Sequence, residues 1–149
     1  MTLVSENETY LLNDYINDNL NNKDFYILNT LREGQLSVPV MRNMLFQKQI
    51  FGFCEIENGT ITNLALFIYP SEMEETSFVQ VLYLYLNNVE FFKDAISNAR
   101  RISDDISKIK LLINSDEKYQ KEKIENLGFK KEVSFKVGNK YREHYSIIF

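Results

Sequence analysis

Few side chains in this chain are of types that do chemistry. His144, the single histidine, stands between Glu143 and Tyr145 with no orienting motif, as a strand-surface residue or an unassisted base. Cys54, the single cysteine, lies in an apolar run, where a thiol behaves as a small buried hydrophobe. Glu72, Glu74 and Glu75 read as a solvated loop, or as an acidic rim that would attract a cationic amine. Lys118, Lys121 and Lys123 form an exposed helix face that could also meet phosphates. Tyr83 and Tyr85 alternate with Val79 and Val81, so all four are expected on one strand face, as packing or as the wall of a ligand channel. Asn114 ends an apolar run, where its side chain suits a cap or a turn. No metal-ligand spacing, nucleophile elbow or P-loop occurs in the sequence.

The totals set the frame for these groups. The 149 residues suit one domain, 1–149, with one substantial core. A net charge of -4 argues against nucleic acid or an anionic membrane as partner. With 5 glycines and 2 prolines there is little material for glycine-built loops. One cysteine excludes an internal disulfide and fits a reducing compartment. Neither a leader nor an apolar run of membrane-spanning length is found, so the expected location is cytoplasmic.

The elements follow from local pattern. Met1 to Val4 is predicted as a short edge strand. Ser5 and Glu8 have capping-box spacing before a helix whose stripe is Leu11, Leu12, Tyr15, Ile16 and Leu20. Residues 24–47 read neither as helix nor as strand: Phe25 to Leu28 suits both, Gly34 and Pro39 interrupt, and Val40 to Phe46 lacks a period. Ile50–Ile56 and Ile61–Tyr69 form a predicted hairpin turning on Asn58-Gly59, and Pro70 ends it. Residues 77–86 are β-branched and aromatic, which predicts a central strand with helix as the other reading. Asn88 is positioned to cap a helix burying Phe92, Ala95, Ile96, Ala99 and Ile102. A strand at 108–113 and a helix from Glu117 to Asn126 come next. Gly128 ends that helix in the left-handed conformation, and a hairpin turns at Gly138-Asn139.

This order, with Ile113-Asn114-Ser115 leading through a helix to Leu127-Gly128-Phe129 and a final hairpin, resembles the GNAT (general N-acetyltransferase) superfamily over nearly the whole chain. The resemblance implies an α/β (α+β) domain with a mixed, mostly antiparallel sheet flanked by helices. It further implies that the strands at 77–86 and 108–113 splay apart and admit acetyl-CoA, with no metal. The cosubstrate residues would then be Leu82, Tyr83, Leu84, Tyr85, Asn87, Asn88 and Asn114, the strand's backbone N–H groups polarising the thioester carbonyl. Three departures accompany it. The family's glycine-containing phosphate loop, Arg/Gln-x-x-Gly-x-Gly/Ala, is replaced by Leu86-Asn87-Asn88-Val89-Glu90, whose acid would repel phosphate. The family's thiolate-protonating tyrosine position holds Ile124, leaving Tyr119 as a catalytic candidate on another face of that helix. No carboxylate is placed as a base.

Two functions fit these residues. One is acetyl transfer from acetyl-CoA to a small-molecule or peptide amine. The alternative is a non-catalytic GNAT-fold binding or regulatory protein, monomer or homodimer.

Overall fold

The computed structural model describes residues 1–28, 37–69, 78–103 and 105–149. Strand β1 (Thr2–Leu3) lies antiparallel to Phe53 and Cys54 at one sheet edge. The Ser5–Glu8 capping box then forms, Ser5 N–H donating to Glu8 Oε2 at 2.8 Å. It opens a 3-10 turn that runs into helix α1 (Thr9–Asp18), which buries Leu12 and Ile16. Phe25–Ile27, ambiguous in sequence, is strand β2. Gly34 lies outside the described residues, but Pro39 opens helix α2 (Val38–Phe46) instead of interrupting it. Ser37 caps that helix by accepting from Val40 N–H at 3.4 Å.

Strands β3 (Ile50–Glu57) and β4 (Thr60–Ile68) form the predicted hairpin. Asn58 and Gly59 take φ of 53° and 77°, the two positive values a two-residue hairpin turn needs. Pro70 and the acidic stretch Glu72, Glu74 and Glu75 lie outside the described residues. Strand β5 (Phe78–Tyr85) is central, as its apolar run predicts. Asn88 caps helix α3 (Val89–Ile102), its side chain accepting from Phe91 N–H at 3.0 Å. Strand β6 (Lys108–Asn114), helix α4 (Lys118–Asn126) and the hairpin β7 (Lys130–Val137) and β8 (Lys140–Ile148) complete the chain. Gly128 has φ of 107°, which lets Phe129 N–H turn back to Ile124 O at 3.1 Å and close the helix.

The sheet runs β1-β3-β4-β5-β6-β8-β7, with β2 attached to β5 off this path. Among the described residues only β5 and β6 pair in parallel, so the sheet is mixed and mostly antiparallel. One core lies where α3 and α4 cover it, around Phe92, Ile109, Ile124 and Phe129. The other lies under α1 and α2, around Leu12, Met41 and Leu64.

Two sequence expectations change. Ile102 shares the angular position of Ala95, two turns earlier, yet is 45% exposed because it is the last residue of α3; Phe91 joins the buried stripe instead. The common face predicted for Val79, Val81, Tyr83 and Tyr85 is broken by a bulge. Phe67 pairs with Val81 and Leu66 with Tyr83, leaving Leu82 without a β4 partner. One extra residue reverses the alternation, so Val79 and Val81 enter the α3/α4 core while Leu82 and Tyr83 enter the α1/α2 core.

The β3–β4 pair also explains one glycine. A Cβ at Gly52 would stand 2.2 Å from Ala65 O and 2.5 Å from Leu66 Cδ2. Gly52→Ala is expected to lower stability by about 1–3 kcal/mol through overpacking against backbone, measured as the urea midpoint at unchanged m-value.

Candidate functional site

The site is built at the only parallel junction of the described sheet. β5 and β6 pair through Phe78↔Lys108, Val79↔Ile109 and Gln80↔Lys110, and there the pairing ends. β5 continues to Tyr85 and β6 to Asn114, so the strands part over their second halves. β4 holds one edge of β5 up to Leu84, which leaves the β6-side edge of residues 82–86 to be satisfied by something else.

That something is β2. It pairs antiparallel with β5 through Phe25↔Tyr85, Tyr26↔Leu84 and Ile27↔Tyr83. Leu28 N–H donates to Leu82 O at 3.0 Å, and Leu86 N–H donates to Asp24 O at 2.7 Å. Between these, the alternation of an antiparallel ladder makes Tyr26 and Leu84 a hydrogen-bonded pair, so the Leu84 N–H is also taken. Side chains tie the strand across the gap. Tyr26 O–H donates to Leu112 O of β6 at 2.5 Å. Gln120 of α4, only 6% exposed, donates from Nε2 to Lys23 O at 3.2 Å and Phe25 O at 3.3 Å. Phe25 and Ile27 enter the α1/α2 core and Tyr26 the α3/α4 core, so β2 plugs the sheet on both faces. Phe25 stacks on Tyr83 with ring centroids 6.1 Å apart.

The sequence-derived site residues take the following places. Leu82, Tyr83, Leu84 and Tyr85 stand together on the edge that β2 occupies. Burial pushes the Tyr83 hydroxyl up to about 12. Asn87 accepts from Lys123 Nζ at 2.7 Å, whereas Lys121 turns to Ser115 O and Glu143, so the lysines predicted as one helix face part. Asn88 donates from Nδ2 to Asn63 Oδ1 at 3.2 Å while capping α3. Asn114 stands at the open end of β6 with its Oδ1 buried and unpartnered. Tyr119 is 40% exposed beside a cleft of about 430 Å³ lined by Leu20, Lys23 and Gln120. It donates to Asp24 Oδ1 at 2.5 Å, and this hydrogen bond to a carboxylate raises its pKa. Ile124 is fully buried in the α3/α4 core. His144 is half-buried on β8, its pKa lowered first by burial and then by the Lys110 charge. Among the described residues no three His, Cys, Asp or Glu side chains converge on a metal site.

No family profile and no curated protein matches this sequence. Its structure is nevertheless similar over almost its whole length to solved acetyltransferases. A GNAT-family acetyltransferase from Streptococcus pneumoniae aligns at a TM-score of 0.72 and 13% identity, over 99% of this chain and 100% of its own. A probable acetyltransferase from Staphylococcus epidermidis aligns at 0.72 and 11%, over 99% and 96%. An aminoglycoside acetyltransferase solved with coenzyme A and kanamycin aligns at 0.63 and 10%, over 99% and 92%. This chain has the GNAT fold.

Against that fold, the residues present do not fit acetyl-CoA. In the GNAT arrangement implied by the sequence, the cosubstrate enters between the strands equivalent to β5 and β6 and leans on β5 backbone. Here those groups bond to β2. The phosphate-holding loop is reduced to residues 86–88, and the α3 N-terminus is already capped by Asn88 and carries Glu90 in its first turn. Burial of Phe25, Ile27 and Leu28 contributes about 1.5–3 kcal/mol each. Their loss would rival the ~8 kcal/mol of a micromolar ligand. Sequence reasoning left Phe25 to Leu28 open between helix and strand because so short a run shows no period, and it gave no sign of the pairing with β5; the adjacent signal, Ser37 before Pro39, marks a helix start.

Tyr26→Phe is expected to cost about 1 kcal/mol and Gln120→Ala about 1–3 kcal/mol, since the latter leaves the Lys23 and Phe25 carbonyls without their buried donor. Urea unfolding measures both, and hydrogen exchange at the Leu84 and Leu86 amides should accelerate selectively in each variant. For His144, the folded protein binds a proton less readily than the unfolded chain at 6.5. The unfolded state therefore takes up more protons as pH falls through 6.5, and stability drops until pH passes below the folded value. His144→Gln should flatten that part of the stability profile between about pH 7 and 5.

Proposed function

We propose that this protein is a GNAT-fold binding module that does not transfer acetyl groups, its cosubstrate gap closed by its own strand β2. The single observation supporting this reading is the Tyr26↔Leu84 pairing, which uses the β5 backbone groups that a thioester would need. The short β5–α3 connection and the buried Ile124 agree with it. Among the described residues no helix is long and apolar enough to cross a membrane.

A second reading is N-acetyl transfer from acetyl-CoA to a small-molecule or peptide amine. It is favoured by the parting of β5 from β6 beyond Gln80 and Lys110 and by the shared fold with acetyltransferases. It would assign Leu82–Tyr85, Asn87, Asn88 and Asn114 to the cosubstrate and Tyr119 to catalysis, and it requires β2 to leave β5.

Thermal unfolding with and without acetyl-CoA or coenzyme A separates the two. A ligand held at 100 times its dissociation constant adds about 2.7 kcal/mol to the native state. The binding-module reading expects no rise in Tm at about 1 mM of either compound. A saturable rise, with thioester loss on adding amines, would establish the transferase reading instead.

A further inference from the structure

Three polar groups meet in the cleft beside α4 without satisfying one another. The cleft holds about 430 Å³, the small end of the range for ligand sites, between the turn after α1 and the start of α4. Gln120 lines it and is only 6% exposed. Its Nε2 is committed to Lys23 O at 3.2 Å and Phe25 O at 3.3 Å. Two carbonyl partners fix which end of the amide is the nitrogen. That leaves Gln120 Oε1 as an acceptor with no donor among the described residues, and it is not shut off from solvent as Asn114 Oδ1 is.

Two opposite charges line the same cleft. Glu117 precedes Gln120 by three residues, the spacing of neighbours on a helix surface. It is the N-cap residue of α4, yet its carboxylate caps no backbone N–H. Lys23 Nζ lies 4.6 Å over the Tyr119 ring and pairs with no carboxylate among the described residues. An anion alone would meet Lys23 but be repelled by Glu117, and a cation alone would face the reverse. The acceptors on α4, Gln120 Oε1 and Glu117, call for a group rich in N–H donors, and an ammonium has three and accepts nothing. The ammonium of Lys23 calls for a carboxylate a short distance away. An α-amino acid carries both on one carbon, and Leu20 supplies an apolar wall for its side chain.

We propose that this cleft binds a free α-amino acid with an apolar side chain, its ammonium on Gln120 Oε1 and Glu117 and its carboxylate on Lys23. The same Gln120 holds β2 through Nε2, so the ligand sits against the strand that closes the gap. This deepens the binding-module reading by naming the ligand class, and it rests on that reading.

The test uses the full chain, nitrogen-15 labelled, titrated with L-leucine. Saturable shifts are expected in the Gln120 side-chain amide and in the backbone amides of residues 117–120. L-leucinamide, which lacks the carboxylate, and 4-methylpentanoate, which lacks the ammonium, should each bind about tenfold more weakly or worse. Glu117→Gln and Lys23→Gln, both changes of charge at little change of shape, should each weaken leucine about tenfold. Lys136→Gln, an exposed charge on β7, should leave it unchanged. Absence of shifts at about 10 mM leucine, a concentration above the millimolar limit of weak binding, would overturn the proposal. Equal binding of either analogue, or full affinity in both cleft variants, would overturn it as well. Stabilisation by acetyl-CoA would sink the binding-module reading while leaving the leucine titration to be read by itself, so the two failures are distinguishable.

Discussion

Everything at the centre of this molecule depends on how the upper edge of β5 is satisfied. A strand buried in the middle of a sheet cannot leave its N–H and C=O groups unpaired without a cost of about 1–3 kcal/mol each. β4 covers one edge. β6 covers the other only as far as Gln80, because the two strands part. In the GNAT arrangement implied by the sequence, the cosubstrate enters that opening. Here the chain closes it internally with β2, and the closing strand is anchored by a tyrosine hydroxyl on β6 and a buried glutamine on α4. The polar anchors set the position of β2, and its apolar side chains make it part of both cores.

The surroundings are consistent with a closed junction. The β5–α3 connection is held by Lys123 on Asn87 and by Asn88 on Asn63, so the place where a phosphate loop would stand is a short, tied turn. Tyr119 is engaged with Asp24 at the entry to β2, and Lys23 lies 4.6 Å over its ring. At the far side of α4 a second polar cluster fixes the helix to β8: buried Glu143 meets Lys121 at 3.1 Å, and the Tyr145 hydroxyl reaches Glu125 and Glu143. Burial, and after it the Glu143 and Glu125 carboxylates, raise the Tyr145 pKa, which keeps it a donor in this network. These interactions tie α4 to the β6–β8 half of the sheet.

Local signals carried much of the fold into the sequence. The Ser5–Glu8 capping box, the Asn58-Gly59 turn, Asn88 as a cap and Gly128 as a helix stop are all short-range devices. Each satisfies orphan backbone groups or permits positive φ within a few residues, so each is visible in one line of sequence. The resemblance to the GNAT superfamily rested on such signals in order, and the structure agrees with that fold.

The sequence by itself therefore determined the element order outside residues 24–47 and the absence of a glycine phosphate loop, while the sheet type came from the resemblance those elements carry. Tertiary structure alone decided what occupies the gap between β5 and β6. The three residues of β2 have no readable period, and their partners on β5, β6 and α4 are remote in the chain. Only the folded sheet shows that they fill the gap. The bulge at Leu82 likewise arises from registry between two strands, and it turned Tyr83 to the opposite face from the one its alternation predicts. The unmet pair Asn114 Oδ1 and Arg142 Nε exists only because β6 and β8 lie side by side. Short-range chemistry is written along the chain. Occupancy of a gap is a property of what long-range pairing brings into it.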